Sequence, residues 1–169
     1  MDLISKDILE KILDKLSHLQ STEDIKILFA CESGSRAWGF PSEDSDYDVR
    51  FIYIRKPEFY LSIDHQKDVI EHKIEDNLDL SGWDIKKALT LFKKSNPPLL
   101  EWLNSPIIYF KDETFYKNLI ELLPIYFSPK SCMFHYLSMA ENNILTYLNG
   151  EQVIRKKYFY ALRPILACI

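Results

Sequence analysis

Apolar positions change their period partway along the chain. From Ser5 to Leu19 they recur at Ile8, Leu9, Ile12, Leu13, Leu16 and Leu19, one face of a helix with Ser5 as its N-cap. Ile25 to Ser33, "IKILFACES", is short and apolar on both faces, which predicts an interior strand. "DYDVRFIYIR", from Asp46 to Arg55, predicts a second strand. "DVIEHKI" and "NLDLSG" predict two more, as a hairpin turning near Glu75-Asp76-Asn77. From Asp84 the period becomes helical, with Ile85, Ala88, Leu89 and Phe92 on one face until "SNPP" stops it. "SPIIYF" reads as a short strand or extended link. Met133, Leu137, Ala140, Ile144 and Leu148 mark a further helix, ended by Asn149-Gly150. Ile154, Tyr158, Ala161 and Ile165 continue the rhythm in a last helix, where Pro164 is expected to introduce a kink.

Helix, strands, then helices is the order of an α+β protein whose sheet is encoded first. We expect a mixed sheet flanked by helices over residues 1–110, and a C-terminal helical region over residues 111–169 packed on it. The chain stops at "ILACI", inside an apolar helical pattern. That pattern leads us to expect a partner surface or a further segment there.

Composition narrows the function. The chain has 169 residues, 47% of them hydrophobic and 14% aromatic, which is enough for a packed core. No run approaches the roughly 18 to 20 apolar residues of a membrane span. The charged, amphipathic N-terminus lacks the apolar region of a signal peptide. Cys31, Cys132 and Cys168 are far apart and fit reduced thiols of a cytoplasmic protein. The four histidines form no zinc-binding pattern. A formal net charge of -4 argues against binding duplex DNA by bulk field and suits a small anionic ligand escorted by a divalent cation.

One stretch carries candidate chemistry: "CESGSRAWGFPSEDSDYDVRFIYI", Cys31 to Ile54. Residues two apart on a strand share a face, so Asp46, Asp48 and Arg50 point one way and Tyr47, Val49, Phe51 and Tyr53 the other. Two like charges on one face repel unless something positive sits between them, a salt bridge or a metal ion. Mg²⁺ suits such a pair, since it takes one or two carboxylates and fills its shell with water and phosphate oxygens. "SEDSDYD" also reads as a plain polar turn. Gly34 and Ser35 precede the pair, and a Gly-Ser turn lets backbone and hydroxyl groups approach a terminal phosphate. Arg36 follows directly and is within reach of a phosphate. Arg50 either does the same or pairs with an aspartate. Lys156, Tyr160 and Arg163 share a helical face, either solvated or supplying the cations that a leaving pyrophosphate needs. The remaining lysines near Asp84 read as solubilising, and Trp38, Trp83 and Trp102 as packing anchors.

Buried strand, Gly-Ser, about ten residues, then two acids flanking one hydrophobic residue: this order resembles the DNA polymerase β-type nucleotidyltransferase superfamily. The wider text, with "ESGSRAWGF", "SDYDVRF", "DLSGWDIKKAL", "KSNPPLLEWLNSP" and "KKYFYALRP", resembles its branch of bacterial and phage nucleotidyltransferases associated with RNA repair. The resemblance covers roughly Phe29 to the C-terminus. It implies that Gly34 and Ser35 hold the phosphates of an incoming NTP, with ATP the expected one. It further implies that Asp46 and Asp48 bind Mg²⁺ or Mn²⁺ in a two-metal transfer of an NMP to an acceptor hydroxyl. A third carboxylate completes that set. Asp79, facing away from Leu78 and Leu80, and Asp84, whose other role is a helix N-cap, compete for it, and Asp79 is the preferred one. The acceptor implied is an RNA end, a protein or a small molecule. The alternative is a nucleotide-binding regulatory or antitoxin-like module without turnover.

Overall fold

The structure, a computed structural model, describes residues 4–42, 44–64, 66–72, 77–150 and 152–169. Helix α1 spans Lys6–Thr22, and the Ser5 hydroxyl accepts the Ile8 N–H at its start. Strand β1 (Ile25–Ser33) follows, then one helical turn, α2 (Gly34–Ala37), and strand β2 (Tyr47–Arg55). Asp46 therefore stands just ahead of its strand rather than in it. A second short helix, α3 (Pro57–Tyr60), precedes β3 (Val69–Glu71) and β4 (Leu78–Asp84). Those two strands are antiparallel, as the expected hairpin requires, although Glu75 and Asp76 at its turn lie outside the described residues.

Helix α4 (Ile85–Lys93) ends before Ser95-Asn96, and Pro97 opens α5 (Pro97–Leu103). "SNPP" is thus a stop and a start. Asn96 caps the new helix by accepting the Leu99 N–H, and proline at the first position has no N–H to lose. The extended "IIYF" segment becomes β5 (Ile108–Lys111), followed by α6 (Glu113–Tyr126), α7 (Pro129–Tyr147) and α8 (Arg155–Leu166).

The five strands run β3-β4-β2-β1-β5. β2 and β4 are parallel; the other neighbours are antiparallel. Both faces are covered, which is why the middle of β1, from Ile27 to Cys31, is apolar on both sides. On one face α1 packs Ile12, Leu16 and Leu19 against Ile27, Val49, Phe51, Tyr53 and Leu80. On the other, Phe29, Cys31 and Ile52 meet Ala88, Phe92, Leu99, Trp102 and Leu119. Ile27 and Phe29 fall on different faces because the β1–β2 register shifts between them. Trp83 stacks on Trp102 with ring centroids 3.9 Å apart, so both serve as packing anchors.

The last helix runs through Pro164 as one element. Proline deprives the Tyr160 carbonyl of its helical donor, and the Asn143 side chain of α7 donates to it instead, at 2.9 Å. The apolar stripe of α7 is only half covered: Met133, Leu137 and Ile144 are 38, 45 and 39% exposed. Among the described residues no helix is long and apolar enough to cross a membrane.

Candidate functional site

The site forms where β1 hands over to α2 and β2 begins. Ser33 lies opposite Asp48 in the antiparallel ladder, so the next residue turns directly over the Asp48 side chain. That residue is Gly34, at φ +64°, and a Cβ there would collide with Asp48 Oδ2. Glycine is required twice over, by the left-handed backbone and by the close approach. Ser35 is buried, with its hydroxyl 3.3 Å from Ser45 Oγ.

Arg36 braces the loop that carries Asp46. Its Nη2 donates to the Ser45 carbonyl at 2.7 Å and its Nε to the Asp46 carbonyl at 3.3 Å, while the guanidinium stacks on the Tyr47 ring. From the far side, Lys156 of α8 donates to Ser45 Oγ at 2.8 Å and to Ser42 Oγ at 3.1 Å. Asp46, Asp48, Ser35, Ser42, Lys156 and Tyr160 share the walls of a cavity of about 530 Å³. That is within the usual range for a small-molecule site.

Asp79 joins the pair by register. The parallel pairing of β2 with β4 sets Asp48 opposite Asp79. Arg50 lies between them, its Nη2 donating to Asp48 Oδ1 at 3.0 Å and to Asp79 Oδ2 at 2.7 Å. Its Nη1 donates to the Asp79 and Val49 carbonyls at 2.9 and 3.2 Å. Burial pushes the Asp48 carboxyl above the usual range; Arg50 opposes this, and Asp79 and Asp46 add to it.

Asp84 stands elsewhere. Five residues along β4 puts it on the opposite sheet face from Asp79. There it caps α4, accepting the Lys86 N–H at 2.8 Å and the Tyr60 hydroxyl at 2.7 Å. Arg163 is also apart from the aspartates. It pairs with Glu101 at 2.7 Å, lies 3.7 Å over the Trp38 ring, and lines a different cavity with Tyr136 and Asn104.

Sequence reasoning passed over Glu32. This fully buried carboxylate accepts the Asp48 N–H at 3.0 Å through one oxygen and the Tyr109 hydroxyl through the other. Burial raises its pKa, opposed first by the Tyr109 hydrogen bond. The only signal was an acid embedded in an apolar strand. Ser42 and Ser45 were missed as well, because a serine in a polar loop carries no signal of its own.

Hard carboxylate oxygens on Asp46 and Asp48, crowded by like charge, fit a Mg²⁺ or Mn²⁺ ion that brings its own water and phosphate ligands. Among the described residues no group of three or more His, Cys, Asp or Glu side chains is gathered closely enough to hold a metal ion.

The model of the RNA repair pathway DNA polymerase beta family matches residues 8–169. A Bacillus subtilis (strain 168) protein, "Uncharacterized protein YcgL", is 55% identical over 159 residues. That alignment takes in 94% of this chain and 61% of the relative, so the chain spans less than two thirds of the relative's length. Among solved structures, a nucleotidyltransferase-like protein from Exiguobacterium sibiricum 255-15 aligns with 95% of this chain and 55% of its own. Its identity is 12% and its TM-score 0.44, a likeness too loose to add weight.

Proposed function

The chain belongs to the RNA repair pathway DNA polymerase beta family, and on that premise we propose a metal-dependent nucleotidyltransferase that moves an NMP from an NTP to an acceptor hydroxyl. The observation that carries this reading is the Gly34 turn closed onto Asp48, with Asp46 in the same cavity and Asp79 one strand over. Asp46 and Asp48 would hold Mg²⁺ or Mn²⁺, which would supply neutralising charge at the phosphates when bound. Gly34 and Ser35 bring the chain close to the phosphate chain, and Lys156, reaching in from α8, balances its negative charge. The acceptor oxygen attacks the α-phosphorus, the bond to the β-phosphate oxygen breaks, and pyrophosphate leaves. The hydroxyl proton passes to Asp79 at Oδ1, since Arg50 holds Oδ2. ATP is the expected donor, and an RNA end is the acceptor most in keeping with the family's description.

A second reading, a nucleotide-binding module without turnover, is favoured by one observation: Arg50 already engages the third carboxylate. Incubation with each α-labelled NTP, Mg²⁺ or Mn²⁺ and a pool of RNA, protein and small-molecule acceptors separates the two. Transfer of label, abolished in Asp79→Asn with Mg²⁺–NTP binding nearly unchanged, is the expected result. Tight nucleotide binding with no labelled product would leave the second reading standing.

A further inference from the structure

Arg50 sits inside the aspartate cluster, held between Asp48 and Asp79. Its four hydrogen bonds go to two carboxylates and two backbone carbonyls of the paired strands β2 and β4. We propose that Arg50 is a resident cation standing where a second metal ion would bridge Asp48 and Asp79, so that the cleft takes up a single divalent ion, at Asp46 and Asp48. This rests on the nucleotidyl-transfer reading and specifies its metal requirement.

Three features support it. A guanidinium is always charged and its forked donors match carboxylates, so it permanently offsets one of the two charges of the Asp48–Asp79 pair. Its side chain is only 18% exposed, and Nη1 is tied to the Asp79 and Val49 carbonyls. Swinging out to admit an ion would break four hydrogen bonds at once, two of them to carboxylates. Finally, Arg50 divides the oxygens of Asp48. Oδ1 faces the guanidinium, and Oδ2 faces the Gly34 turn. The oxygen left for an ion is the one on the phosphate side. Arg50 is in this sense a positioning residue: it aims Asp48 and keeps Asp79 from joining a shared ion.

The test counts ions directly and needs no turnover. The full chain is titrated with Mn²⁺ in the presence of a non-hydrolysable α,β-methylene NTP, and free and bound Mn²⁺ are read by electron paramagnetic resonance. One Mn²⁺ per chain is expected, with no exchange-coupled signal from a close Mn²⁺ pair. Arg50→Ala is expected to bind two, with the coupled signal appearing, and Arg50→Lys, which keeps the charge, to stay at one. Two coupled ions in the unaltered chain would overturn the proposal while leaving nucleotidyl transfer intact, and this reading does not depend on any variant folding. A single ion in a folded Arg50→Ala would overturn it as well. If no Mn²⁺ binds to the unaltered chain with the analogue present, the transfer reading itself fails.

Discussion

The residue at position 34 must hold φ at +64° and leave its outward side open to the Asp48 carboxylate. Gly34→Ala fails on both counts. The left-handed backbone costs about 1–2 kcal/mol for an L-residue. The new methyl also displaces a carboxylate that Arg50 holds on its other side. The protein is expected to keep its circular dichroism spectrum and lose a few degrees of melting temperature. The further stabilisation by Mg²⁺–ATP, about 2.7 kcal/mol at a hundredfold excess over Kd, is expected to vanish. Retention of that ligand shift would mean that phosphates do not sit against this turn. At this scale much was legible. The Gly-Ser turn and the alternating aspartates are local patterns, and local patterns survive in a sequence. Glu32 was not legible as a partner of Asp48, because the hydrogen bond joins two strands and ends on a backbone N–H that every residue carries. Nor did the spacing of Lys156 and Arg163 reveal that one faces the aspartates while the other is held by Glu101 and Trp38.

At the scale of elements, β4 begins near one carboxylate and ends on another, and the two do different work. Asp79 faces Arg50, while Asp84 terminates the strand and caps the helix after it. Asp84→Asn keeps an oxygen for the Lys86 N–H, and its amide donates to the Tyr60 oxygen where the carboxylate accepted the Tyr60 O–H. A stability loss within about 1 kcal/mol is expected by urea unfolding. Asp84→Ala loses the cap and strands a hydroxyl, about 2–4 kcal/mol together. Neither variant should change transfer chemistry in the folded fraction; a specific loss of transfer in Asp84→Asn would return the third-carboxylate role to Asp84.

Tyr60 adds a pH dependence to the same contact. Burial, with the Asp84 carboxylate adding to it, pushes its phenol from 10.0 up to about 12, against an opposing hydrogen bond from the Arg55 N–H. In the unfolded chain the proton leaves near pH 10, while the folded chain keeps it. Stability therefore falls as pH rises across that window and levels off above it. Tyr60→Phe is expected to make the fall between pH 10 and 12 shallower in thermal melts. An unchanged slope would assign the alkaline loss to the other buried tyrosines. The strands themselves were legible from their apolar runs, and so was the β3–β4 pairing. The parallel β2–β4 register was not, since nothing local to either segment records which residue of one will lie opposite which residue of the other. That register is what brings Asp79 to Asp48. Helix α5 was hidden for another reason: a proline pair reads as a break, and only the Asn96 cap shows that it is also a beginning.

For the whole molecule, the cleft has two walls of different origin. Asp48 and Asp79 belong to the sheet, Asp46 to the lead-in to β2, and Lys156 to α8, so the geometry of the site depends on how α8 is fastened. The half-covered stripe on α7 shows that apolar packing does only part of that work. A polar knot does another part: Glu101 of α5 accepts from Tyr136 of α7 and from Arg163 of α8, each at 2.7 Å. Both members of the Arg163–Glu101 pair are 21% exposed, so the pair is largely shielded from water. Glu101→Gln keeps the shape and removes the charge, leaving Arg163 without its counter-ion. A loss of about 1.5–3 kcal/mol is expected, together with faster proteolysis between α7 and α8. Weaker Mg²⁺–NTP binding should follow as Lys156 drifts from Ser42 and Ser45. Arg163→Met, which retains contact with Trp38, is expected to cost a similar amount. The double variant should cost less than the sum, because the second change removes a partner already lost. If the two losses add to within about 0.5 kcal/mol and nucleotide binding is unmoved, α8 is held in place by its packing on α7, and the knot at Glu101 is incidental to the site.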